Sequence, residues 1–249
     1  MEWSKRAGSV WGKLDPTTEG WMSLVRHLED SAAVGRYLWD EFLPDATKRC
    51  ISEGLAIPDE QGRQVVSWLA GIHDVGKATP AFAAKAAVTM PSVLGLMRDH
   101  DLDARPTIED RLVPHATAGQ IVVEQWLAKR YPRSNRRVRN SYASVVGCHH
   151  GTTPSAGALE LVDTHPAQLG RGRWAEVRDE ILDKMAELTG AADHLSGWLN
   201  ARPSVPVQVL LSAIVIMAAW IASNTAYFPY TGGPTAERHE PAISLLDLP

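Results

Sequence analysis

The segment 205–222 constrains the fold most, because nearly every residue in it is apolar: Val207, Val209, Leu210, Leu211, Ile214, Val215, Ile216, Met217 and Trp220. Such a run either crosses a membrane or passes through the middle of a globular core. A membrane span needs about 20 predominantly apolar residues, and Pro206, Gln208 and Ser212 interrupt this shorter one. The reading is a fully buried core helix, apolar on all sides. The rest of the chain must then wrap around it.

Other segments supply helices for that purpose. Between residues 21 and 42, Leu24, Val25, Leu28, Ala32, Val34, Leu38 and Trp39 recur at helical spacing, and Pro44 stops the run. Residues 63–75 continue the pattern with Val65, Val66, Leu69 and Ile72, and Pro80 opens a short alanine-rich segment to residue 87. Further helices are expected over 116–130, 141–149, 174–188, 191–199 and 206–227. Period-two alternation is scarce and no strand pair is expected. The fold class is therefore all-α, a single helical domain over residues 1–230. Residues 150–172, rich in Gly, Pro and Thr, read as loop, and 231–249 as a tail or the start of a linker.

A hydrophobic share of 45% and a charged share of 22% are those of a globular protein, which excludes disordered and fibrous classes. A net charge of -4 excludes a protein that coats nucleic acid over its whole surface, so any such site must be local. One basic strip qualifies: Lys129, Arg130, Arg133, Arg136, Arg137 and Arg139 fall within residues 129–139. It is either a solvated loop or a strand- or partner-binding surface. The two cysteines, Cys50 and Cys148, are too far apart for a metal knuckle. With no apolar leader in residues 1–6, a cytoplasmic location without a membrane partner is expected. The nine tryptophans, Trp21, Trp39 and Trp220 among them, are expected to pack the core.

The chemistry is carried by histidine. His73-Asp74 offers an imidazole nitrogen beside a carboxylate that can bridge two cations. On a continuing helix Lys77 returns to their side, where its ammonium could hold a phosphate oxygen. Taken alone, this segment also reads as a helix end capped by Gly76. His149-His150-Gly151 shifts the balance, because two adjacent histidines before a permissive glycine suit a metal cluster better than packing. His100, His165, His194 and His239 lie in polar or loop-like contexts and read as surface residues.

His27 within Leu24-Val25-Arg26-His27-Leu28, His73-Asp74-x-Gly76-Lys77, Pro114-His115, His149-His150-Gly151 and Ser223-Asn224 together resemble, in order and spacing, the motif set of the CRISPR-associated HD nuclease. The likeness runs from about residue 11 to residue 229. It implies an HD-superfamily helical domain with a metal cluster enclosed between helices. It further implies that His27, His73 and Asp74 hold one divalent transition metal (iron, manganese, cobalt or nickel), and that Asp74 bridges to a second held by His115, His149 and His150. Catalytic roles are implied for His73, Asp74, Lys77 and His115, and substrate contacts for Lys77, Ser223 and Asn224. Where the family pattern carries an aspartate that completes the first metal site, this sequence has Ala219, which weakens that site.

The expected activity is hydrolysis of phosphodiester bonds in single-stranded DNA, with a guide-RNA surveillance complex and a helicase as partners. No G-x-x-x-x-G-K-[ST] loop occurs in the sequence, so the motor is expected on a separate chain or a further C-terminal part. Two alternatives stand beside it: an HD phosphohydrolase acting on nucleotides, and a catalytically feeble docking domain.

Overall fold

The computed structural model describes residues 2–105 and 113–230; the tail or linker expected over 231–249 lies outside them. The chain opens with helix α1 (Lys5–Ser9) and an antiparallel hairpin of β1 (Trp11–Asp15) and β2 (Gly20–Ser23). Helices follow: α2 (Leu24–Tyr37, extended by a π-helical turn, Leu38–Phe42), α3 (Asp45–Leu55), α4 (Asp59–Ile72), α5 (Pro80–Ala83), α6 (Ala86–Thr89) and α7 (Pro91–Asp99). The second half contains α8 (His115–Arg130), α9 (Arg136–Gly147), α10 (Ala156–Thr164), α11 (Arg173–Leu188), α12 (Leu195–Trp198) and α13 (Val205–Ile221). The expectation of a helical domain holds, with two corrections. A small strand pair exists, and β2 takes residues assigned to the start of a helix. The Gly- and Pro-rich stretch 150–172 contains α10.

The centre is built from α2 against α4 and α8 against α9, with α13 packed on α2, α3, α4 and α9. Trp68 is fully buried, and the rings of Trp126, Tyr142 and Trp198 surround it at 6.2 to 6.5 Å. Each large apolar side chain buried in this way contributes about 1.5–3 kcal/mol.

Helix α13 is not buried on all sides. Leu211, Ile214 and Val215 face the core, while Val205, Val209 and Trp220 are 66, 62 and 73% exposed. A segment in which every position is apolar carries no signal for which face the fold leaves uncovered. Trp220 therefore does not pack the core as expected, whereas Trp39 does. Among the described residues no helix is long and apolar enough to cross a membrane.

The basic strip joins α8 to α9 at the ends of those helices farthest from His115 and His149. At 1.5 Å per residue that places it roughly 20 Å from them. Lys129 pairs with Asp179 and Arg130 with Asp183 on α11, and Arg139 pairs with Glu124. Half of its charge is thus neutralised within the fold.

Candidate metal centre

Four elements deliver the histidines. His27 projects from α2, and His73 caps α4. The chain leaves α4 at Asp74 and makes a 3-10 turn over Val75–Lys77. His115 is the first residue of α8, and His149 and His150 follow the end of α9, where Gly151 takes a φ of 85°. The junction depends on Gly76, because a Cβ there would lie 1.9 Å from the His115 carbonyl oxygen and 2.5 Å from the Gly119 nitrogen. Only glycine lets the turn after Asp74 press against the start of α8.

Four of the histidines converge on one carboxylate, and the fifth, His150, meets it through His115. Asp74 Oδ2 lies 3.3 Å from Nε2 of both His27 and His73. Oδ1 lies 3.2 Å from His115 Nε2 and 3.3 Å from His149 Nε2. His150 Nε2 is 2.9 Å from His115 Nε2. The ligand atoms form two groups, His27 with His73 and Asp74, and His115 with His149 and His150, each spanning no more than 4.8 Å.

These groups fit cations on their own chemistry. His73 Nδ1 lies 2.7 Å from the Ala70 carbonyl and His149 Nδ1 2.6 Å from that of Val146, so each Nδ1 donates a proton. In the neutral ring Nε2 is then a bare acceptor, and it faces a carboxylate oxygen, another acceptor. Both ring nitrogens of His27 are buried without a hydrogen-bond partner; its Nε2, although close to Asp74, is not aligned with it. Acceptors facing acceptors in a dry site repel unless a positive charge sits between them.

That charge is not a proton on histidine. Burial pushes His27 down to about 3, outweighing the attraction of Asp74, and burial also lowers His73 and His115. Burial with the neighbouring His149 and His115 takes His150 to about 4. Neutral imidazoles at pH 7 are the form that binds metal. Burial alone would raise the Asp74 carboxyl, but the charge of the Lys77 ammonium beside it holds it well below the usual carboxylate range.

The centre forms one wall of a cleft of about 430 Å³. Lys77 reaches Asp74 Oδ2 at 2.8 Å and donates to the Gly12 carbonyl at 2.8 Å, so the helix end is tied to β1. Phe82 stands edge-on to His115, with Trp11 packed on its other side. Ala219 lines the cleft with a methyl group that ligates nothing, and the exposed Trp220 lines it too. Ser223 borders it, its hydroxyl donating to the Ala219 carbonyl at 2.6 Å. Asn224 is exposed, accepts from the Ala226 N–H and does not line the cleft. His100, His165 and His194 lie outside both groups, and His239 falls outside the described residues.

Sequence reasoning missed Lys13. Strand β1 places it in the cleft beside Lys77, where burial first and the Lys77 charge second lower it to about 8. Its signal was faint, a single lysine in a short strand that was itself not foreseen.

The chain resembles known proteins in sequence and in fold. The family model for the Cas3 HD domain matches residues 11–228. The CRISPR-associated nuclease/helicase Cas3 of Streptococcus thermophilus is 26% identical over 232 residues, which cover 84% of this chain and 23% of that protein. A crystal structure of a CRISPR-associated protein aligns with a TM-score of 0.74 and 32% identity over 91% of this chain and 24% of that one. A CRISPR RNA-guided surveillance complex in a pre-nicking state contains a chain with the same fold, at TM-score 0.67 and 22% identity over 91% of this chain and 26% of that one. The chain thus spans about a quarter of the length of the relatives it matches. With the family model matching residues 11–228, nearly all of the described residues, the chain belongs to the Cas3 HD-domain family.

Proposed function

We propose that this domain is a metal-dependent nuclease that hydrolyses phosphodiester bonds in single-stranded DNA. The observation that carries the reading is the pair of ligand groups sharing Asp74 at the wall of an open cleft. His27, His73 and Oδ2 of Asp74 would hold one ion, and His115, His149, His150 and Oδ1 the other. Two such cations, when bound, neutralise the phosphodiester and make hydroxide available near neutral pH. The protein keeps the imidazoles of His27, His73 and His115 neutral by burial and the carboxylate ionised through Lys77. His73 and His149 hold their metal-facing nitrogens in place by donating Nδ1–H to backbone carbonyls. Trp220 presents an exposed ring at the cleft, a surface on which an unpaired base can stack. Lys77 supports the reaction by fixing Asp74, and Ser223 borders the substrate path.

The partners that fit are a helicase supplying the strand and a guide-RNA surveillance complex opening the target. The Streptococcus relative is named a nuclease/helicase, and a chain of this fold sits in a surveillance complex. A second reading rests on the size of the cleft, which accommodates a single nucleotide and so suits a nucleotide phosphohydrolase.

Elemental analysis of the purified chain, paired with cleavage of circular single-stranded DNA under added manganese, cobalt or nickel, decides between them. Cleavage that His73→Ala abolishes and Ala219→Asp strengthens supports the nuclease. Phosphate release from nucleotides without DNA cleavage selects the second reading. Absence of both metal and turnover, even in Ala219→Asp, leaves a docking domain.

A further inference from the structure

The walls of the cleft carry more positive charge than the metal ligands require. Lys13, Lys77 and Lys85 line it, and among the described residues Asp74 is the one carboxylate that does. Asp74 already serves Lys77 and four histidines. Lys77 is spoken for, with one hydrogen on Asp74 and one on the Gly12 carbonyl. Lys13 differs. It lines the same cleft, and among the described residues no carboxylate forms a salt bridge with its ammonium; the Asp74 charge acts on it, opposed by that of Lys77.

The local backbone aims it there. The β1–β2 ladder is irregular between Trp11 and Lys13, and irregularities of this kind redirect side chains beside functional sites. Gly12, at the irregularity, sits so near α2 that a Cβ would lie 2.9 Å from the Leu24 Cα. Ammonium groups lining one cleft repel each other, and a bound anion relieves them.

We infer that Lys13 is the phosphate seat of the cleft, its ammonium binding a non-bridging oxygen of the substrate phosphate while Lys77 stays on Asp74. The inference deepens the nuclease reading and rests on it for the phosphate's being part of a DNA strand; the seat itself suits any phosphate oxyanion.

The test compares the purified metal-loaded chain with Lys13→Met, which keeps the aliphatic stem, and Lys13→Arg, which keeps the charge. Inorganic phosphate is titrated by calorimetry and as an inhibitor of cleavage, and KM and kcat are measured on a short single-stranded oligonucleotide. Metal content and thermal midpoint report whether each variant is folded and loaded. A charge-assisted hydrogen bond lost without replacement weakens binding by about tenfold or more. Lys13→Met should therefore bind phosphate at least about tenfold more weakly and raise KM in parallel, and Lys13→Arg should recover most of both. Unchanged phosphate affinity in a folded, metal-loaded Lys13→Met overturns the seat, as does failure of Lys13→Arg to recover it. Phosphate binding that depends on Lys13 in a chain that never cleaves DNA upholds the seat and moves its source to a nucleotide. DNA cleavage with no dependence on Lys13 leaves the nuclease reading standing and removes the inference.

Discussion

His27, His73 and Asp74 are 0, 1 and 2% exposed, whereas His150, which closes the other half of the same centre, faces solvent. The inner half is assembled by α2 and the end of α4, two helices that pack on each other through the core. The outer half is assembled where α8 begins and α9 ends, at the cleft. An ion in the inner half replaces both water and protons for groups with no other source of compensation, so binding there is coupled to folding. An ion in the outer half would compete with solvent at the open cleft. Among the described residues Asp74 is the one carboxylate that faces both, which makes it the place to break the distinction.

Asp74→Asn should have the largest effect. It strips the carboxylate from both halves and leaves the Lys77 ammonium, 7% exposed, without its partner. Breaking a buried pair on one side costs about 3–5 kcal/mol, which in a domain of this size lowers the thermal midpoint by roughly 10 °C. Metal content should fall to background at both halves in elemental analysis. An Asp74→Asn chain that keeps one ion per molecule would mean that one half stands without the shared carboxylate.

Two parts of the candidate site were legible from local pattern, His73 beside Asp74 and the His149-His150 pair at a helix end. His27 and His115, and the grouping of all six candidate ligands, came only from the resemblance to the CRISPR-associated HD nuclease. What joins them was not legible. That Gly76 must be glycine follows from the His115 carbonyl 39 positions later, and that Lys77 is occupied follows from the Gly12 carbonyl 65 positions earlier. The pairing of Lys129 and Arg130 depends on acids of α11 some 50 residues on. The hairpin was lost because Trp21 and Met22 continue the apolar spacing of α2 across the strand. The exposed face of α13 was lost for the opposite reason, that a segment apolar throughout marks no side as outward.

Acidification offers a milder way to weigh the two halves. In the metal-free chain, burial holds His27 and His73 below the ordinary value of 6.5, down to about 3 for His27. Below pH 6.5 the unfolded chain therefore binds protons that the folded chain refuses. Stability is fully present above that value and is lost as pH falls, at up to about 1.4 kcal/mol per pH unit for each such group. Asp74, held low, adds its own loss only below its ordinary 3.8. Urea midpoints of the metal-free chain at pH 7.5 and pH 5 should differ clearly, and His27→Gln should flatten the difference. A slope that His27→Gln leaves intact would locate the sensitivity outside His27.

His150→Ala should do least to the fold. The side chain is exposed, its Nε2 meets only His115 Nε2, and substitutions at such positions stay within about 0.5 kcal/mol. Its effect should appear instead in the metal. The outer group keeps His115, His149 and Oδ1 of Asp74, so the ion there should bind more weakly and be drawn off first by a chelator, while the inner ion stays. Chelator titration followed by elemental analysis reads this directly as two steps in the variant. If both ions leave together at the same chelator concentration, the halves form one cooperative site, and the difference in burial between His27 and His150 does not govern how the centre holds its metals.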